Sequence, residues 1–165
     1  MPLVTAHRAP LAEILRATPE FTAEEVGVAL EIIDAALGGE AHYHIWVETS
    51  DEGGEGSDDA RHVRGYVCFG PTPMTEGTYD LYWIVVNPAH KGKKIGRALV
   101  RHMEEELRKV NARLVRVETE GTAAYAATCA FYEALGYERI ATIRDFYRVG
   151  NDLVIYGRYL STLFP

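Results

Sequence analysis

A chain of 165 residues, 47% of them hydrophobic and 25% charged, carries enough apolar material for one core and is too short to suggest two domains. The formal charge of -7 excludes a general electrostatic grip on nucleic acid or anionic lipid, so any polyanion must bind at a local basic patch. No stretch has the apolar length that spans a bilayer, and the first residues lack a basic segment followed by an apolar run; a cytoplasmic protein forming a single domain over residues 1–165 is expected.

Residues 4–8 read as a short strand and residues 11–16 as a helix. The spacing predicts a further helix over residues 22–37, opened by the capping box of Thr22 and Glu25, closed by Gly38 and Gly39, and buried along Val26, Leu30, Ile33 and Leu37. Residues 43–49 alternate and are rich in β-formers, residues 50–60 are rich in Gly and Asp, and residues 62–70 are apolar; together they predict a hairpin with a solvated acidic tip. A strand over residues 78–86 stops at Asn87-Pro88, where proline removes a ladder donor. Ile95, Leu99, Met103, Leu107 and Val110 then mark an amphipathic helix over residues 95–111. Residues 114–119 read as a strand and residues 122–135 as a helix stopped by Gly136. The last two strands, residues 137–145 and 153–159, flank a turn at Val149, Gly150, Asn151 and Asp152. The fold class is α/β, with a mixed, mostly antiparallel twisted sheet of about six or seven strands flanked by helices.

Cys68 and Cys129 lie in different elements without metal-site spacing, and the six histidines are scattered without partner carboxylates, so buried thiols and no metal are expected.

The most informative stretch is VNPAHKGKKIGRAL, from Val86 onward: a strand ends, a short basic loop follows, and a helix begins. Unpaired amides at a helix N-terminus, the helix dipole, and the charges of Lys91, Lys93, Lys94 and Arg97 together make an anion site suited to a diphosphate. Gly92 and Gly96 serving only to shape a turn, and lysines forming only a solvated face, are the competing readings. The nucleotide-binding patterns G-x-x-x-x-G-K-[ST] and G-x-G-x-x-G are absent.

This segment resembles the coenzyme A loop of the GNAT (GCN5-related N-acetyltransferase) superfamily, whose pattern is Gln or Arg, two residues, Gly, one residue, then Gly or Ala. Lys91 takes the first position, Lys94 stands where the family has glycine, and Gly96 matches the last. The resemblance implies cofactor contacts from Ile84, Val85 and Val86 on the preceding strand, from Lys91, Gly92, Lys93 and Lys94, and from Ile95, Gly96, Arg97 and Ala98. A second match is F-Y-E-x-x-G-[FY], intact here as Phe131, Tyr132, Glu133, Gly136 and Tyr137.

Helical spacing alone puts Ala124, Thr128, Phe131 and Leu135 on one core stripe and Tyr125 with Tyr132 on another. By the resemblance, Tyr132 is the general acid for the leaving thiolate and Tyr125 touches the cofactor. The likeness covers roughly residues 20–160 and points to a bacterial-type subgroup of unassigned substrate.

The implied activity is transfer of an acetyl group from acetyl-CoA, as co-substrate, to a primary amine of a small molecule or peptide, by direct attack in a ternary complex. An alkylammonium with a pKa near ~10 must first lose a proton, so a base is needed. Glu118 and Glu120, at the end of the strand before the Tyr132 helix, are the candidates, with Asp80 and Tyr82 weaker. A backbone N–H from the strand before the loop would polarise the thioester carbonyl, and no covalent intermediate requires Cys129. A catalytically silent acyl-CoA-binding sensor and an interaction module without coenzyme are the other readings. Amino acids, polyamines, aminoglycosides and protein N-termini stay open as acceptors, and association of two copies through the terminal strands is compatible with all of these.

Overall fold

The computed structural model describes residues 1–50 and 62–160, so all but Ser50 of the expected acidic tip lies outside the described residues. Six strands form one sheet in the order β1-β2-β3-β4-β6-β5: β1 (His44–Thr49), β2 (Val63–Pro71), β3 (Thr78–Val86), β4 (Leu114–Glu120), β5 (Glu138–Arg148) and β6 (Asn151–Tyr159). The sheet is mixed. β1 runs antiparallel to β2, and β6 runs antiparallel to both β4 and β5, while β3 runs parallel to β4. Four helices accompany it among the described residues: α1 (Arg8–Ala17), α2 (Ala23–Leu37), α3 (Ile95–Lys109) and α4 (Ala126–Ala134).

The chain forms two compact units, residues 1–70 with 83–103, and residues 71–82 with 104 onward. In the first, the capping box closes as expected: Thr22 Oγ1 accepts from Glu25 N at 3.2 Å, and Glu25 Oε2 accepts from Thr22 N at 2.7 Å. Val26, Ala29 and Ile33 form the buried face of α2, with Leu30 and Leu37 only half-buried. Where a strand was expected at residues 4–8, Thr5–His7 is a single 3-10 turn running into α1. The ring of His7 accepts the Val4 N–H at 3.2 Å, satisfying locally a donor that a strand would have needed to pair across a ladder. The bridge to β1 comes earlier, at Pro2 opposite Trp46.

In the second unit, Val115, Val117 and Thr119 are the buried side of β4, and Leu114, Arg116, Glu118 and Glu120 alternate onto the other. Val110, assigned to the buried stripe of α3 by its spacing, lies just beyond the helix and is 60% exposed. All eleven residues of β5 are exposed.

One buried carboxylate organises this unit. Glu104, 3% exposed, accepts from Tyr137 Oη at 3.2 Å, and it meets Arg108 at 3.2 Å and Arg158 at 3.3 Å. Arg158 also donates to Leu135 O and lies over the Tyr137 ring. Glu104→Ala is expected to cost about 2–3 kcal/mol in urea unfolding, because it strands the Tyr137 hydroxyl and removes the shared acceptor; the partial exposure of both arginines keeps the loss from being larger.

Candidate functional site

The candidate residues fall into two sets, one in each unit. In the first unit, Ile84, Val85 and Val86 end β3, with Val85 3% exposed and the others half-buried. Asn87 secures the exit: its N–H donates to Arg64 O at 2.8 Å, and its Oδ1 accepts from Ala89 N at 3.0 Å to cap the 3-10 turn Pro88–His90.

The basic loop then lifts the chain into α3. Its first intrahelical bond runs from Ala98 N to Lys94 O at 3.1 Å, so the amides of Ile95, Gly96 and Arg97 precede the ladder and find no partner within it. These three donors at the positive end of a 15-residue helix, ringed by exposed Lys91, Lys93 and Lys94, match the donor set that a diphosphate requires. Lys91 is engaged with Glu20 at 3.1 Å, and Lys93 Nζ lies 3.4 Å from His90 Nδ1.

Lys94 explains its own oddity. Its φ is 61°, a left-handed conformation that glycine adopts without strain, so the position is one that glycine, the residue of the resembled pattern, would fill more easily. Lys94→Gly should therefore stabilise the fold by about 0.5–1 kcal/mol, the relief of strain exceeding the added freedom of the unfolded chain, and raise the melting temperature by about 1–3 °C.

In the second unit, α4 follows the 3-10 turn Ala123–Tyr125. Tyr125, half-buried, sits at the junction as the N-cap of α4. Tyr132, not Ala124 or Phe131, is the buried residue of α4, at 3% exposure, with Leu135 buried just beyond. Its ring lies among Phe131, Tyr137 and Tyr156, at centroid distances of 5.3, 5.7 and 6.0 Å.

Both tyrosine neighbours are anchored, Tyr137 on Glu104 and Tyr156 through its Oη on Glu133 Oε1 at 2.9 Å. Burial pushes the Tyr132 phenol well above the ordinary tyrosine value, with a smaller push from the nearby Cys129 thiol, so it stays a proton donor through the physiological range. The F-Y-E-x-x-G-Y sequence is thereby accounted for locally: Glu133 holds Tyr156, Gly136 takes the left-handed φ of 83° that ends the helix, and Tyr137 packs on Tyr132.

The two carboxylates differ sharply. Glu118 is exposed and paired with Arg116 at 2.9 Å, and Arg116 is also held by buried Asp80 at 2.6 Å, whose other oxygen accepts from Thr72 Oγ1 at 2.9 Å. Glu120 is half-buried and its Oε2 accepts from the Nδ2 of buried Asn151 at 2.7 Å. Asp80 is thus a structural anchor for Arg116. Asn151, expected in the turn before β6 and not among the candidate residues, opens β6 instead. Among the described residues there is no cluster of three or more metal-binding side chains and no helix long and apolar enough to cross a membrane.

A model of the acetyltransferase (GNAT) family matches residues 9–137. The chain is 35% identical over 87 residues to N-alpha-acetyltransferase RimI of Mycobacterium tuberculosis, covering 53% of this chain and 51% of that protein. It is 34% identical over 80 residues to the ribosomal protein bS18-alanine N-acetyltransferase of Escherichia coli, covering 48% and 53%. The chain thus spans about half the length of the curated relatives it matches. A solved GNAT-family protein from Desulfovibrio desulfuricans superposes with a TM-score of 0.89 at 36% identity, covering 98% of each chain. A Salmonella typhimurium structure determined with acetyl-CoA superposes with a TM-score of 0.72 at 20% identity, covering 100% of this chain and 95% of that one.

Proposed function

The chain belongs to the acetyltransferase (GNAT) family, and from that premise we propose that it transfers an acetyl group from acetyl-CoA to a primary amine. The observation that carries the reading is the open N-terminus of α3: the amides of Ile95, Gly96 and Arg97 lead a helix whose approach is basic and whose turn is made by left-handed Lys94. Such an end is a seat for the diphosphate of coenzyme A. The thioester supplies an activated acetyl group when bound.

In this reading Glu120 takes the proton from the acceptor ammonium, and the nitrogen lone pair forms the new C–N bond as the C–S bond breaks. A backbone N–H from the Ile84, Val85 and Val86 stretch polarises the carbonyl, and Tyr132 gives its proton to the departing sulfur. Tyr125, at the entry to α4, would contact the coenzyme when it is bound. The names of the curated relatives, one an N-alpha-acetyltransferase and the other acting on an alanine of a ribosomal protein, put peptide α-amines first among the acceptors.

Calorimetry with coenzyme A and acetyl-CoA, followed by a thiol-release screen with an alanine-initial peptide, spermidine, an aminoglycoside and free amino acids, tests this. Binding with thiol release from one amine class is expected. No heat with either coenzyme rules out the loop assignment, and binding without release from any amine rules out transfer in favour of a silent acyl-CoA sensor.

A further inference from the structure

The end of β4 is pinned from two sides within the second unit. Gly121 N donates to Asp152 O at 2.8 Å, and a Cβ at Gly121 would stand 3.2 Å from both Asp152 Cβ and Val154 Cγ2, a tight approach that a side chain there would push apart by a few tenths of an ångström. From α4, Cys129 Sγ lies 4.0 Å from Glu120 O. The hairpin between β5 and β6 is itself braced: Asp145, at a left-handed φ of 54°, accepts from Gly150 N at 2.6 Å, while its own N–H donates to Asp152 Oδ1 at 3.0 Å. This bracing leads directly into Asn151.

Asn151 is 3% exposed and spends its amide unevenly. Nδ2 donates to Glu120 Oε2 at 2.7 Å, while Oδ1 is buried and makes no hydrogen bond among the described residues. The orientation is dictated by chemistry, since an ionised carboxylate only accepts and a flipped amide would set two acceptors against each other. A buried carbonyl without a partner costs stability, and leucine, of nearly the same size, would avoid that cost. Packing alone therefore does not favour asparagine here. Its use is what it does to Glu120.

We propose that Asn151 is a positioning residue for the acetyl-transfer reaction: its amide fixes one oxygen of Glu120, so that the other is presented to the acceptor amine in a single orientation. The inference rests on the reading of Glu120 as the base. Asn151 meets neither the amine nor the coenzyme, and it acts only through the carboxylate it holds.

A double-mutant cycle separates this role from a structural one. With the best acceptor of the amine panel, Asn151→Leu is expected to lower kcat about tenfold to a hundredfold, in keeping with the loss of a positioned catalytic group. The acetyl-CoA affinity should stay within twofold and the melting temperature should move by only a few degrees, because relief of the unpaired Oδ1 offsets part of the lost hydrogen bond to the half-buried Glu120 carboxylate. In the Glu120→Gln background the same substitution should have almost no effect on kcat.

Asn151→Asp, which keeps the shape and replaces the donor with a second acceptor, guards against a misfolded leucine variant and should lose at least as much kcat. A loss of equal size in both backgrounds, or a larger fall in melting temperature and acetyl-CoA affinity alongside kcat, overturns the proposal while leaving transfer intact. Absence of thiol release by the wild-type protein with every amine defeats the transfer reading, and this proposal with it.

Discussion

Tyr132→Phe should reduce kcat about a hundredfold while leaving the acetyl-CoA dissociation constant within about twofold, the pattern expected when a proton donor used only in the transition state is lost. The substitution removes one oxygen and keeps the ring among Phe131, Tyr137 and Tyr156, so packing is retained. Steady-state kinetics and calorimetry on the same preparation check both halves. A hundredfold loss is about 2.7 kcal/mol of barrier, more than the absence of one hydroxyl normally costs a fold, so the two effects are separable.

The raised phenol adds a pH signature. Because burial favours the neutral form, the wild-type rate should show no alkaline fall attributable to this group below the ordinary tyrosine range near ~10. Turnover unchanged in Tyr132→Phe would remove the phenol from the mechanism.

Periodicity and capping placed most elements because each carried a local physical signature. Thr22 and Glu25 close the box that opens α2, and β3 runs over the nine residues expected, Thr78–Val86. The errors have equally local causes. The stripe counted from Ala124 starts on the wrong residue: Ala124 lies in the exposed 3-10 turn Ala123–Tyr125, and α4, which begins only at Ala126, turns the face of Tyr132 and Leu135 inward. At the last hairpin, an irregularity between Ile143 and Arg148 carries β5 past the expected end, so the turn contracts to Val149 and Gly150, and Asn151 falls inside β6. No composition rule announces a bulge of that length.

The chemistry was legible only where it was written in contiguous motifs. The basic loop before α3 and the F-Y-E-x-x-G-Y run stand out as contiguous motifs, but the surroundings of Glu118 and Glu120 depend on Arg116, Asp80 and Asn151, which come from three different strands. Strand alternation could have hinted at half of it, since Arg116 and Glu118 are two apart and share a face of β4. Asn151 is thirty-one residues from Glu120, and only the β4–β6 register brings it there.

That difference in surroundings sets the last prediction. Glu118→Gln breaks an exposed pair whose arginine remains held by Asp80, so kcat/KM should stay within about threefold, in line with the small worth of surface ion pairs. Glu120→Gln removes the proposed base and should lower kcat/KM at neutral pH by about a hundredfold to a thousandfold. The acceptor must then lose its proton to solvent before it attacks. The neutral fraction of the acceptor grows about tenfold per pH unit below its pKa, so the Glu120→Gln rate should climb with the same slope and approach the wild-type rate only above that pKa, near ~8 for a peptide α-amine and near ~10 for an alkylamine. A pH–rate profile of the two variants on one amine decides the assignment: a flat profile for Glu120→Gln, or a steep one for Glu118→Gln, would move the base elsewhere.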